Sequence, residues 1–334
     1  MITSQPSNAN LLISALLVGV MLSSSVEYST AFAMAKASFI RDVGKYLVYD
    51  SQTSSSGKST INEAQEIDSC TGQPTGEPLI IKISSNQEAL ERETRNYERI
   101  SQTADQIVAQ DGIDPHDEGL FVKVYDHMPE ISPNSGEGAI VMEKGCQDLR
   151  QYIQEKGPLE GEELRSAAES VAKCVQAVHE SDMVWTEIKA QNFVVKKDYQ
   201  DSVIAIKGID LESAVPNKGN PIDYTPEACP PEFAEAYLCG KEPYVQMMPH
   251  FDVWSLGMLF YELATGKEYF GVGDGDDKNQ FVIASELRTM ADIEWKHPHV
   301  DPRMKDLVQT CLNKQPEERP AVSQVLQHEF FLQP

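Results

Sequence analysis

Positive charge is scarce in this sequence: 28 Lys and Arg stand against 52 Asp and Glu in 334 residues, a net charge of −24. Phosphate backbones are held by clusters of Lys and Arg, so nucleic acid is excluded as a partner. Cysteine is also sparse. Cys70, Cys146, Cys174, Cys229, Cys239 and Cys311 form no Cys-x-x-Cys pair and have no histidine at ligand spacing, so no zinc site is indicated and mostly free thiols are expected, with Cys174 and Cys311 buried in helical stripes and a bridge left open in an oxidising lumen. No apolar run reaches the roughly 20 residues that span a bilayer, so no stable transmembrane span is expected in the mature chain. The apolar block from Leu11 to Leu22 lies in a stretch with no charge before Glu27 and is followed by the small-residue tract Ala31-Phe32-Ala33. Residues 1–33 therefore read as a targeting segment for secretory entry. The alternatives are a bipartite presequence for the plastid of an alga with secondary plastids, with Lys36 and Arg41 behind the cleavage tract, an uncleaved leader or single short anchor, and a cytoplasmic location. No internal repeat is found. Hydrophobic content of 41% and charged content of 24% are ordinary for a globular protein.

What is present begins with a strand, turn and strand from Phe39 to Tyr49 around Gly44, and a further strand at Leu79–Ile83. Between them, residues 51–77 are rich in Ser, Thr, Gln and Gly, and read as a mobile, low-complexity insertion. It holds a decoy: Ser54-Ser55-Ser56-Gly57-Lys58-Ser59-Thr60 ends like a Walker A loop, but Gln52 stands where the first glycine belongs and no buried strand precedes it. Glu88–Ile100 is helical in composition, and Asp117–Gly145 reads as two strands around a Pro, Ser and Gly loop. Leu164, Ala168, Val171, Val175 and Val178 recur at helical spacing, giving one buried stripe that leads into Glu187-Ile188-Lys189-Ala190-Gln191-Asn192. After a hairpin-like stretch comes Ile209-Asp210-Leu211-Glu212.

This order of carboxylate, ammonium, amide and second carboxylate resembles the protein kinase superfamily, of serine/threonine type because a lysine stands two residues after the first acid. Pro230-Pro231-Glu232, Asp252-Val253-Trp254-Ser255-Leu256-Gly257 and Pro316-Glu317-Glu318-Arg319-Pro320 resemble later landmarks of that family in the same order. The resemblance implies an α+β, bilobal fold: a small antiparallel β-sheet lobe with one helix over 38–143, and a larger, mostly helical lobe over 144–334.

It also implies a site for ATP and Mg2+. Lys82 would anchor phosphate, held by Glu93, with Glu91 and Glu98 as rival partners. Asn192 and Asp210 would bind magnesium, Glu187 would be the general base, and Lys189 would steady the phosphoryl group. Val48 would roof the adenine behind a loop, Val43-Gly44-Lys45-Tyr46-Leu47-Val48, that retains one glycine. Met142 would be the gatekeeper, with backbone groups of Glu143 and Gly145 bonding adenine and Asp148 either touching ribose or standing as a surface acid. Glu232 and Arg319 would form a buried structural pair, and Asp252 would open the central helix.

Four departures from the family pattern bear on activity. Glu187 has one methylene more than the usual aspartate. Trp185 replaces a histidine whose backbone-organising hydrogen bonds it is not expected to make. Thr186 replaces the arginine that receives an activation-loop phosphate, so switching there is not expected. Glu212 replaces a glycine at a position expected to need positive φ, at a cost of about 1 kcal/mol, and its carboxylate either reaches magnesium or is a solvated loop acid. The expected function is a divergent serine/threonine-type kinase of reduced activity acting on a protein hydroxyl. The alternative is a pseudokinase serving as a nucleotide-binding scaffold or allosteric regulator of a protein partner.

Overall fold

The computed structural model describes residues 39–49, 54–56, 59–110, 112, 119–198, 200, 202–270, 280–290, 292–295 and 299–332. Residues 1–33, expected to be a targeting segment, lie outside the described residues.

The expected two-lobed α+β plan is present. The small lobe is an antiparallel sheet of β1 (Phe39–Val43), β2 (Tyr46–Tyr49), β3 (Ser54–Ser56), β4 (Ser59–Ile67), β5 (Pro74–Ser84), β6 (Val124–Met128) and β7 (Gly138–Glu143), in the order β1-β2-β4-β5-β7-β6 with β3 paired to β4. Helix α1 (Gln87–Gln110) packs beside it. Asn86 starts α1, its side chain accepting from the Ala89 N–H at 3.2 Å. Ala104, Ile107 and Val108 carry the buried stripe eight residues beyond Ile100, the expected end of the helix, which runs on to Gln110.

The stretch 51–77 is not the mobile insertion expected from its composition. It holds β3, β4 and the start of β5, and β4 lies inside the sheet between β2 and β5. This strand is fixed by backbone ladders on both edges instead of by a greasy face: of its side chains only Asn62 and Ala64 are buried, and Asn62 donates to the Tyr49 carbonyl at 3.2 Å. A reading keyed to apolar alternation passes over such a strand. Ser54–Ser56 and Ser59–Ile61 are the two arms of a hairpin, so the Walker-like string has no strand-to-helix setting.

The large lobe is built on α2 (Leu149–Lys156), α3 (Gly161–Glu180) and α5 (Pro249–Thr265), with α4 (Pro231–Leu238), α6 (Gln280–Thr289), α7 (Pro302–Cys311), α8 (Val322–Val325) and α9 (Glu329–Leu332) around them. Every residue of α5 from Phe251 to Thr265 is buried, so this helix is enclosed on all sides and forms the lobe's axis. It starts with Pro249 at its first turn and stops at Gly266, whose φ of +73° makes a left-handed cap. Two small antiparallel sheets sit between the lobes. One joins β8 (Gln147–Asp148), β10 (Phe193–Lys197) and β11 (Val203–Gly208); the other pairs β9 (Met183–Val184) with β12 (Val215–Pro216). They carry the segments around Glu187 and Asp210. Among the described residues, no helix is long and apolar enough to cross a membrane.

Candidate active site

Successive strand residues face opposite ways, so the register of β5 divides its side chains between two surfaces. Ile81 and Ile83 join Val43, Tyr46, Val48, Ala64, Ala139 and Val141 in a core on one face. Lys82 points to the other, the side of the large lobe, opposite Ile61 on β4 and Ile140 on β7. Met142, paired with Ile80, shares the Lys82 face, where a gatekeeper belongs.

Val48 does not. It is 1% exposed, in the outer core, on the wrong surface to roof a ligand beside Lys82. Leu47, Ile61 and Ile80 are the apolar side chains that the register puts on the Lys82 face instead. The loop around Gly44 is displaced for the same reason. The Ile67 N–H binds the Lys45 carbonyl at 2.8 Å, six residues along β4 from Ile61, which stands opposite Lys82. The strand beside the Lys82 end is β3, whose Ser54 pairs with Ile61, the residue opposite Lys82. Two patterns were in conflict: Gly44 offered the turn signal, and the serine-rich stretch offered none.

Lys82 Nζ is surrounded by acids. It lies 2.8 Å from Glu93 Oε2, 3.2 Å from Asp210 Oδ1 and 3.1 Å from Glu212 Oε2. Glu93 is thus the α1 acid that reaches it; Glu91 pairs with Arg95 at 3.5 Å. Burial disfavours the Lys82 charge, but the pull of Glu93, Asp210 and Glu212 outweighs it and holds the ammonium well above its usual range. Glu93 is pushed up to about 7, first by burial and then by repulsion from Asp210 and Glu212, against the opposing pull of Lys82.

The Asp210 segment is fastened to one face of α1. Arg92 Nε donates to the Glu212 carbonyl at 2.9 Å, Asn96 Nδ2 donates to the Leu211 and Ala214 carbonyls at 2.8 and 2.9 Å, and Tyr97 Oη accepts from the Asp210 N–H at 3.1 Å. Positive φ falls on Asp210, at +60°, and not on Glu212, so the strain expected of the glutamate is absent; aspartate tolerates this region better than most residues. Glu212 is also not a solvated acid, since its carboxylate reaches Lys82. These contacts escaped sequence reading, although Arg92 and Asn96, four residues apart, were a legible polar pair on one helix face.

Asp252, fully buried at the start of α5, organises the neighbouring loop. Its carboxylate accepts from the Trp185 N–H at 2.7 Å and the Thr186 N–H at 2.9 Å, and meets His179 Nε2 at 2.9 Å. Thr186 has φ +69°, unusual for a β-branched residue and costing about 1 to 3 kcal/mol. Its hydroxyl lies within hydrogen-bond reach of the Ser213 carbonyl at 3.1 Å and the Asp223 carbonyl at 3.0 Å, fixing the segment beyond Asp210 without a phosphate. Trp185 does more than pack: its indole N–H donates to the Asp210 carbonyl at 3.3 Å, which corrects the expectation that an organising hydrogen bond is lost.

The Glu187 carboxylate accepts from Lys189 Nζ and from Thr225 Oγ1, the latter at 3.4 Å. Burial raises its pKa more than Lys189 lowers it. Asn192 Nδ2 donates to the Glu187 carbonyl at 2.8 Å, closing the loop on itself. At the lobe junction Glu143 turns its carboxylate to Lys207, at 2.9 and 3.0 Å, and to Lys196 at 3.1 Å; these lysines outweigh burial and hold its pKa low. Gly145 is forced by packing, as a Cβ there would sit 2.6 Å from Val194 Cβ. Asp148 caps α2, accepting from the Gln151 N–H at 2.8 Å. Far below, Arg319 grips Glu232 through two bonds of 2.7 and 2.8 Å.

Residues 66–331 match the family described as "Protein kinase domain". The chain is 29% identical over 206 residues to "Serine/threonine-protein kinase pim-2" of Danio rerio, covering 59% of this chain and 57% of that protein. It is 25% identical over 219 residues to "Serine/threonine-protein kinase MPS1" of Saccharomyces cerevisiae, covering 60% and 28%, and 22% identical over 203 residues to "Tribbles homolog 1" of Mus musculus, covering 60% and 51%. The matches thus span between 28% and 57% of the length of these curated relatives.

Proposed function

The chain belongs to the protein kinase domain family, and from that premise we propose that it is a nucleotide-binding, divergent serine/threonine-type kinase with slow transfer to a protein hydroxyl. The observation that carries this reading is the buried Lys82–Glu93 pair at 2.8 Å with Asp210 at 3.2 Å from the same ammonium. These residues fit the groups that the family uses: Lys82 offers a cation to phosphate oxygens, and Asp210 and Glu212, with the amide of Asn192, offer the hard oxygen donors that suit magnesium. Bound Mg-ATP would supply the phosphoryl group and neutralise charge that develops on it.

The chain's own residues do the rest. Glu187, with its raised pKa, accepts the proton of a hydroxyl brought beside it, and Lys189 stands ready to offset negative charge at the same point. Thr225 and Lys189 position the carboxylate. A glutamate reaches further than an aspartate, and a displacement of about 1 Å at a reacting centre costs up to roughly 10²-fold in rate.

A scaffold role is favoured by one feature: Lys189 is already in contact with Glu187, so both groups assigned to chemistry neutralise each other. Phosphate incorporation into a generic protein substrate separates the readings. A working base predicts loss in Glu187→Ala and a gain in Glu187→Asp. Equal background in all three proteins, alongside a melting shift with Mg-ATP, supports the scaffold. No melting shift in the wild type removes nucleotide binding altogether.

A further inference from the structure

Lys82 carries one positive charge and touches three carboxylates, so the pocket around its ammonium holds a formal excess of two negative charges before any ligand arrives. Glu93 is 1% exposed and fixed beneath it. Glu212 is different. Its side chain is about one-third exposed, and it approaches Lys82 at 3.1 Å from a segment tied to α1 through its backbone carbonyl on Arg92, so the carboxylate can swing away without releasing the backbone. A carboxylate and a phosphate compete for the same donor in the same manner, each by an oxygen anion at about 2.7–2.9 Å from nitrogen.

Resting on the nucleotide-binding reading, we infer that Glu212 is an internal stand-in for nucleotide phosphate, a positioning acid that occupies Lys82 and makes nucleotide binding depend on a divalent cation. Polyphosphate alone meets a lysine already neutralised and two acids, Asp210 and Glu212, that repel it. A divalent cation changes the balance, because the oxygens of Glu93, Asp210 and Glu212 lie within 4.8 Å of one another and gain a common counter-charge. Glu212 then has somewhere to go other than Lys82, and the ammonium is released to phosphate. The residue thus sets the charge state of ligand that the pocket accepts: metal-complexed nucleotide over free nucleotide.

The test compares wild type, Glu212→Gln and Glu212→Asp in the full chain. Dissociation constants for ATP are measured by calorimetry, once with EDTA and once with MgCl2. The ratio of the two constants reports metal dependence, and loss of folding alone does not move it. The expected result is a ratio at least tenfold smaller in Glu212→Gln than in wild type, through tighter binding of metal-free ATP, with Glu212→Asp between them because its shorter side chain reaches Lys82 poorly. An unchanged ratio, with wild type still binding Mg-ATP, overturns the stand-in role and leaves the nucleotide reading intact. A tenfold loss of Mg-ATP affinity in Glu212→Gln without gain in EDTA also overturns it, since Glu212 then acts as a needed cation ligand. No binding by any of the three proteins under either condition removes the nucleotide reading, and the stand-in role with it.

Discussion

Trp185 and Asp210, 25 residues apart in sequence, are joined by an indole N–H donating to a main-chain carbonyl at 3.3 Å. The bond spans the two segments on which the candidate chemistry depends. Trp185 also tilts against Phe121 and Phe193, with ring centroids 5.7 and 5.2 Å away, so it is both a hydrogen-bond donor and the plug of the junction.

These two roles separate by mutation. Trp185→Phe keeps a ring and loses the donor; at 3.3 Å the bond is long, so a cost near 1 kcal/mol is expected. Trp185→Ala also opens a cavity and should cost about 3 to 5 kcal/mol. Urea unfolding followed by far-UV circular dichroism measures both. Equal losses in the two variants would show that packing contributes nothing beyond the donor.

The fold was legible because its landmarks are chemical: a buried acid at the start of α5, an acid and an arginine 87 residues apart, and an acid-lysine-asparagine loop are all strings of fixed identity. Strand β4 was not, because ladders on both sides hold it and backbone hydrogen bonds leave no trace in side-chain pattern. Missing it shifted the glycine loop to the wrong turn and Val48 to the wrong face. The pairing of Lys82 with Glu93 was implied by the family resemblance, which left Glu91 and Glu98 as rivals, and the fold brings Glu93 to 2.8 Å. The Glu212 contact was not legible, since it depends on which residue of the turn takes positive φ, and Asp210 took it.

Arg319 offers a sharper test than most surface pairs. Its side chain is fully buried, it meets Glu232 through both fork nitrogens, it donates to the carbonyls of Asn313 and His250, and its guanidinium lies 5.0 Å from the centre of the Trp254 ring. Lysine keeps the charge but not the fork or the stacking plane. Arg319→Lys is therefore expected to destabilise by about 2 to 3 kcal/mol, below the roughly 3 to 5 kcal/mol of breaking a buried pair outright, because the charge is kept. A midpoint in urea indistinguishable from wild type would show that charge alone suffices.

Cysteine reactivity divides cleanly by position. Cys70, Cys146 and Cys239 are exposed, whereas Cys174, Cys229 and Cys311 are buried. Burial raises all three buried thiols, Cys174 and Cys311 to about 12, so no thiolate forms there near neutral pH. Ellman's reagent should titrate three thiols in the native protein and six in denaturant. A fourth fast thiol in the native state would mean that one of the buried sites opens readily.

Glu93 gives the fold a pH dependence of predictable sign. Its pKa rises from 4.5 in the open chain to about 7 when buried, so between those values the folded state holds more proton than the unfolded one. Stability from this group is therefore largest below pH 4.5 and is lost as pH rises to 7. Glu262, pushed up to about 8 mainly by burial, adds a slope of the same sign over a wider window. Lys82 does not titrate in either window, because its own pKa is raised above 10.5. Replacing Glu93 by Gln removes the titrating proton while keeping the side-chain shape. The variant should thus show a flatter fall in unfolding free energy between pH 5 and 7 than wild type, while the part between 7 and 8 persists until Glu262 is also replaced. Parallel curves for wild type and Glu93→Gln across pH 5 to 7 would mean that Glu93 stays ionised throughout, and that the ammonium of Lys82 offsets its burial more strongly than the two neighbouring acids oppose it.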